Sequence, residues 1–355
     1  MNIAFFCIPA HGHTNPTLAV VRELTARGHT VRYYTTEAFR AKVETAGAVF
    51  VPFDAEAARP GMTAADGARL GRDLAFSTKL IVDLTLAADD WLSRELTAHR
   101  PDVIVGDSMA FWAKLAAKKH GIPFVSSTTT FAFNRFSAKV IGQNGAGFLQ
   151  FLLAQPRINR QLKRLRAAGY AVKSVFDIIA NDNETETVVY TSPDFQPCAD
   201  TFSEKYHFVG PLLRPAQSSF EKLPGRSLIY ISLGTVNNDA LPFYRACLAA
   251  FGGDPRFQLV LSAGTQADLA AFGPIPESCT VRASVDQMAV LDCADVFLTH
   301  CGMNSASEGL WHGLPLILYP QTPEQHGVAN RVAALGAGVP LTAPSADGIR
   351  RAVET

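Results

Sequence analysis

Short apolar runs alternate with helix-spaced stretches along most of this chain, and glycine closes the helical ones. Residues 3–8 (IAFFCI) read as a buried strand. Residues 16–27 have helical apolar spacing and stop at Gly28. A strand over 30–35 follows, then a helix over 39–46 closed by Gly47, and a strand over 49–53. Further on, 103–105 is a strand running into Gly106-Asp107, 111–119 a helix stopped by Gly121, and 123–125 another strand. A glycine just past the last periodic residue is a helix stop, because it accepts the left-handed backbone that ends a helix. Strands separated by helices must run parallel, so this order implies a doubly wound α/β sheet.

The same rhythm restarts at Ser227, with strands over 228–232, 258–262, 280–282 and 296–299 and a helix over 243–251. Between the halves lies a Pro/Ser-rich stretch, GPLLRPAQSS, at 210–219. A chain of 355 residues exceeds one ordinary core. The expected division is a first domain over 1–210, a linker over 211–226 and a second domain over 227–355. Lys+Arg and Asp+Glu both number 32, so no basic footprint for nucleic acid or an anionic membrane is present. The opening MNIAFFCIPAHGH lacks a basic flank and a small-residue cleavage site, and reads as a first strand. No apolar run approaches the roughly 18 residues of a membrane span. The six cysteines form no CxxC pair or metal-ligand spacing. Reduced thiols in a cytoplasmic protein, with no bound metal, are the expectation.

Residues 300–325, HCGMNSASEGLWHGLPLILYPQTPEQ, carry the densest chemistry. The spacing reads as a strand end, a small-residue turn, a helix, a strand and a polar loop. Such a turn presents backbone N–H groups and a helix N-terminus to an anion. His300, Asn304 and Ser305 add phosphate donors beside Gly302. Glu308, about one turn on, suits ribose hydroxyls, and Glu324 with Gln325 forms an acceptor-rich pair suited to a polyhydroxylated ring.

This segment resembles the nucleotide-sugar signature of glycosyltransferase family 1, the UDP-glycosyltransferases, with the bacterial macrolide and natural-product branch nearest. The family pattern is H-C-G-W-N-S, Glu three residues after Ser, G-V-P, then P and D-Q. His300, Gly302, Asn304, Ser305, Glu308, Gly313, Pro315, Pro320 and Gln325 fall in register, while Met303, Leu314 and Glu324 replace Trp, Val and Asp. The resemblance implies the GT-B architecture: two Rossmann-like domains facing a central cleft, with the acceptor on the first and the nucleotide sugar on the second. It also implies further helices beyond 346–353, so the second domain as read here lacks the family's last ones. Ser232-Leu233-Gly234-Thr235 is either a plain strand-to-loop turn or a close approach to phosphate; similarity to the family's S-x-G-[ST] element favours the latter. Val285 and Gln287 match the family's base-holding W-x-P-Q element, with Ser284 in the place of the stacking Trp.

After the first strand comes Pro9-Ala10-His11-Gly12-His13-Thr14-Asn15-Pro16. One histidine there could serve only as a turn partner. The family pattern G-H-x-N-P makes His13 the general base, with His11 flanking it and Asn15-Pro16 starting the helix. A near-neutral imidazole can take a proton from a hydroxyl, and does so better when a carboxylate holds its other nitrogen. Asp107, at a strand's carboxyl end, is that candidate and matches the family's partner Asp; the alternative is a helix cap. Asp102 reads as a turn residue. Over 60–95 and 130–180 the pattern breaks into aromatic-rich helical spacing, including Phe76, Phe131, Phe133, Phe136 and Phe148. These residues either pack on the sheet or line an apolar acceptor pocket, as the family implies.

Together these readings point to a metal-independent, inverting transfer of a sugar, glucose foremost, from a UDP-sugar to a hydroxyl of an apolar small molecule such as a macrolide or flavonoid. No cofactor beyond the nucleotide-sugar co-substrate is expected. A UDP-sugar epimerase on the same architecture and a non-catalytic nucleotide-sugar-binding helper are the alternatives.

Overall fold

The computed structural model describes residues 1–53, 73–140, 147–235 and 238–355, excluding the side chains of 139–140 and 147–152. The chain divides into two compact units, Met1–Leu212 and Leu213–Thr355.

The first unit opens with β1 (Asn2–Phe6), α1 (His11–Ala26), β2 (Thr30–Thr35), α2 (Arg40–Thr45) and β3 (Val49–Pro52). It continues with α3 (Leu74–His99), β4 (Val103–Asp107), α4 (Phe111–His120) and β5 (Phe124–Thr128). Helices α5 (Ser137–Val140), α6 (Gly147–Ala167) and α7 (Phe176–Ile179) precede two short strands, β6 (Glu186–Val189) and β7 (Tyr206–Phe208). All pair in parallel in the order β3-β2-β1-β4-β5-β6-β7. The strands read as unbroken apolar runs because both faces are covered. Ile3 and Phe5 join Leu18 and Val21 of α1 on one side, while Ala4 and Phe6 join Leu92 of α3 and Trp112 of α4 on the other. Phe5 stacks on Tyr33 and Phe6 on Tyr34, with centroids 4.9 and 4.2 Å apart, which locks β1 to β2.

The second unit runs β8 (Ser227–Ser232), α8 (Leu241–Phe251), β9 (Phe257–Ser262), β10 (Cys279–Arg282), α9 (Gln287–Leu291) and β11 (Val296–Thr299). Then come α10 (Met303–Trp311), β12 (Leu316–Leu318), α11 (Pro323–Ala334), β13 (Gly338–Pro340) and α12 (Ala346–Glu354). Its parallel sheet has the order β10-β9-β8-β11-β12-β13. Both sheets therefore start from a central strand, wind one way, and then reverse. The reversal lies between β1 and β4 in the first unit and between β8 and β11 in the second.

The three helix-stopping glycines 28, 47 and 121 all have positive φ, at 83°, 87° and 65°. Two local readings need correcting. Helix α1 starts at His11, so His13 lies in its first turn and Pro16 inside it. At that interior place proline gives up one ladder hydrogen bond and crowds the carbonyl four residues back. Glu324 and Gln325 occupy the first turn of α11 and are not part of a polar loop. The stretch after Leu212 is tied down: Asp286 accepts hydrogen bonds from Arg214 Nη1 at 3.0 Å and from the backbone N–H groups of Gln217 and Ser218, at 2.5 and 2.9 Å. No helix among the described residues is long and apolar enough to cross a membrane.

Gly106, one residue before Asp107, is a packing constraint. A Cβ there would meet Phe124 Cε2 at 2.7 Å and Ala113 Cβ at 3.2 Å. Gly106→Ala should lower stability by about 1–3 kcal/mol, the usual range for overpacking. A chemical-denaturation midpoint unchanged from the parent would show that Phe124 yields without strain.

Candidate functional site

Asp107 ends β4 and His13 follows β1, so the two flank the reversal of the first sheet at its carboxyl edge. Open α/β sheets leave a crevice there. His13 Nδ1 lies 2.7 Å from Asp107 Oδ2, with the two side chains 17% and 0% exposed. Asp107 Oδ1 accepts the Met109 backbone N–H at 2.8 Å, which fixes the carboxylate plane. A carboxylate facing Nδ1 selects the tautomer protonated on that atom, so the neutral ring keeps its lone pair on Nε2. Thr129 Oγ1, just past β5, stands 3.1 Å from the same Nδ1. Three neighbouring strands, β1, β4 and β5, thus bring the imidazole, the carboxylate and the hydroxyl together.

Polar side chains underlie this pair. Thr17 Oγ1 and Tyr33 OH are 2.7 Å apart, and Ser127 Oγ and Tyr190 OH 2.9 Å apart. Burial, with a smaller push from the Asp107 charge, raises the Cys7 thiol far above its ordinary value. Cys7 is therefore a neutral core thiol and not a nucleophile.

The aromatic candidates separate. Phe131 is 3% exposed and packs on Phe195 at 5.3 Å. Phe76 is partly exposed on α3, and Phe133 and Phe136 are 44% and 41% exposed. The Phe148 side chain lies outside the described residues. His11 is exposed at the helix start, with Nδ1 3.3 Å from Lys42 Nζ and its ring edge-on to Phe39. Partial burial and the Lys42 charge lower its pKa. Met109 and Thr129 escaped the sequence reading. Met109 is 49% exposed beside Asp107.

In the second unit, Ser232 ends β8 and His300 follows β11, again flanking the reversal. The His300 backbone N–H reaches Ser232 O at 3.4 Å. Its ring sits between two glycines: a Cβ on Gly234 would stand 2.5 Å from His300 Nε2, and one on Gly302 2.6 Å. Gly234 also has φ 80°, which disfavours any side chain. Thr235 is exposed just beyond. His300 Nδ1 is buried with no partner among the described residues. Burial lowers the His300 pKa to about 4, so the ring is neutral at pH 7 and can donate one N–H.

Cys301, with φ 63°, is one of three non-glycine residues described with positive φ, and its Sγ bonds Thr299 O at 3.5 Å. That strained step turns the chain so that α10 begins at once, with Gly302 as N-cap. The first-turn N–H groups of α10, from Met303 to Ser305, include donors that a helix cannot satisfy internally. A neutral imidazole, an αL turn and a helix N-terminus together suit a phosphate. Glu308, one turn further along α10, accepts a short hydrogen bond from Gln287 Nε2, which also reaches Ser305 Oγ at 3.4 Å. Burial raises the Glu308 pKa. Val285 is partly buried, immediately before Asp286. Thr322 and Gln325 form a capping box on α11, and Gln325 Oε1 accepts the backbone N–H groups of Gln321 and Thr322 at 2.8 and 3.2 Å. Glu324 is exposed in the same turn.

Residues 281–355 match the family model described as UDP-glucoronosyl and UDP-glucosyl transferase. The chain is 33% identical to the NDP-glycosyltransferase YjiC of Bacillus licheniformis, over 95% of this chain and 84% of that protein. It is 33% identical to the demethyllactenocin mycarosyltransferase of Streptomyces fradiae, over all of this chain and 79% of that one. The crystal structure of the glycotransferase of kitacinnamycin superposes with TM-score 0.83 at 30% identity, over 99% of this chain and 89% of that one. The chain belongs to the UDP-glucosyl and UDP-glucuronosyl transferase family and has the GT-B fold.

The depressed His300 pKa has a thermodynamic consequence. An unfolded histidine takes up a proton near pH 6.5, whereas the buried His300 resists until about pH 4. Between those values the unfolded state binds more protons, so acid costs stability, by up to about 3 kcal/mol in full. His300→Gln should flatten the fall in stability from pH 6.5 to 4. Denaturation curves at several pH values check this; an unchanged slope would place the acid sensitivity elsewhere.

Proposed function

We propose that the protein transfers a sugar from a UDP-sugar, with glucose foremost, to a hydroxyl of an apolar natural product, inverting the anomeric centre. The observation that carries the reading is the 2.7 Å contact between His13 Nδ1 and Asp107 at the sheet reversal. In this reading His13 Nε2 takes the proton of the acceptor hydroxyl as its oxygen attacks the anomeric carbon. Asp107 stabilises the imidazolium and Thr129 steadies the ring. Single backside displacement of an α-linked nucleotide gives a β-glycoside. Exposed Phe133, Phe136 and Met109, with Phe76 and His11, offer the acceptor a largely apolar surface.

The charge that grows on the leaving diphosphate is met by His300, by the N–H groups of Gly302 to Ser305, and by the close-approach turn Ser232, Gly234 and Thr235. Preorganised donors of this kind supply a large share of catalysis. No step in this reading calls for a metal. Glu308 holds ribose hydroxyls, while Val285 and Gln287 hold the base. Glu324 takes donor-sugar hydroxyls, and Gln325 has a double task, because its oxygen caps α11 while its amide nitrogen serves the sugar. The relatives' names, an NDP-glycosyltransferase and a demethyllactenocin mycarosyltransferase, support this substrate class. The six cysteines suit a reducing cytoplasm, where we place the reaction.

His13→Ala should lower kcat by about 10²-fold or more, the general-base range, with UDP affinity within twofold. Asp107→Asn should fold normally and also lose rate. A His13→Ala enzyme that turns over UDP-glucose and a phenolic acceptor within twofold of the parent would remove His13 from the base role. EDTA should leave the rate nearly intact; a complete loss restored by Mg²⁺ would contradict the metal-free step.

A further inference from the structure

The Gln287–Glu308 contact raises the question of what fixes the glutamine. A side-chain amide has a donor end and an acceptor end of nearly equal shape, and only its partners decide which way it lies. At Gln287 the NH₂ end meets Glu308 Oε2 and Ser305 Oγ, and the oxygen end meets Tyr230 OH at 3.0 Å. Tyr230 is 1% exposed in the middle of β8, and its ring stacks on Phe297 of the adjacent β11 at 4.9 Å. That anchor is part of the sheet itself. Ser232 and Ser262 also lie within reach of the phenol. Burial raises its pKa far above the ordinary tyrosine value, so it remains a hydroxyl donor at any working pH.

We propose that Tyr230 is a positioning residue for the ribose-binding carboxylate: its hydroxyl holds the Gln287 oxygen, so that the amide N–H faces Glu308 and aims it. This rests on the role given above to Glu308. The relay runs from the core of β8, through α9, to α10. It ties the position of a half-buried acid to the rigidity of the sheet. Flipping the amide would bring oxygen against carboxylate, and the Tyr230 hydroxyl adds a second bias against that state by holding the oxygen end.

Tyr230→Phe keeps the ring, its stacking and its volume and removes one hydroxyl. Calorimetry with UDP and with 2′-deoxy-UDP reads the consequence. UDP affinity should fall about three- to tenfold, the range for one neutral hydrogen bond. Affinity for 2′-deoxy-UDP, which keeps only one of the two ribose hydroxyls that Glu308 would hold, should fall by a clearly smaller factor. In a Glu308→Gln background the same substitution should add less than twofold for either nucleotide, because coupled residues are non-additive. Equal losses for both nucleotides would show a merely structural role and overturn the proposal, as would no loss for either. A parent protein that does not bind UDP would refute the functional reading itself and this inference with it, whereas a parent that binds and a variant that binds equally would refute only the inference.

Discussion

The reversal of strand order governs everything else in this protein. In each unit the chain lays its first strand in the middle of a parallel sheet, winds outward to one side, and returns to begin the other. Loops leaving the two central strands must diverge to opposite faces, and a crevice opens between them at the carboxyl edge. His13 and Asp107 stand on either side of one such crevice, and Gly234 and His300 on either side of the other. The two sites are therefore one solution used twice. In the function proposed above the first holds a base and the second an anion site, and the difference lies in a few residues after each strand.

What each site holds follows from how it treats charge. Asp107 is fully buried, and an ionised carboxylate there is tolerable only with hydrogen bonds on both oxygens. His13 and the Met109 N–H supply them. The second site is built the opposite way. Its histidine is buried without a charged partner and stays neutral, and Cβ-free glycines on both sides let it lie against the backbone. A neutral donor beside a helix N-terminus attracts a phosphate without first having to give up a counter-ion. The strained φ of Cys301 is a further cost, of order 1–3 kcal/mol, offset by the turn that delivers α10 to that point.

Much of this was legible in the sequence, for identifiable reasons. Buried parallel strands are continuous apolar runs, and αL helix ends favour glycine, so elements and stops stood out around Gly28, Gly47 and Gly121. His13, Asp107 and His300 each follow an apolar run, which puts them at a carboxyl edge. The start of α1 was hidden because Ala10 has no capping side chain, while Pro16 imitates a first-turn proline. Strands β6 and β7 were hidden because they are short and partly polar. Thr129 and Met109 could not be singled out, since nothing local says that β5 lies next to β4. Phe131 looked like its exposed neighbours, because burial depends on Phe195, 64 residues away. Thr322 and Gln325, by contrast, spell a capping box that could have been read as a helix start.

The central claim is that an acceptor oxygen, freed of its proton at His13, displaces the diphosphate in one step. Stereochemistry tests that claim most directly, because a single displacement must invert the reacting carbon. The measurement is the proton NMR spectrum of the product formed from UDP-α-glucose and a simple phenol, read at the anomeric position. The account predicts the β-glycoside alone. An α-glycoside would require two displacements or a front-side departure, and would contradict the role given to the histidine–aspartate pair.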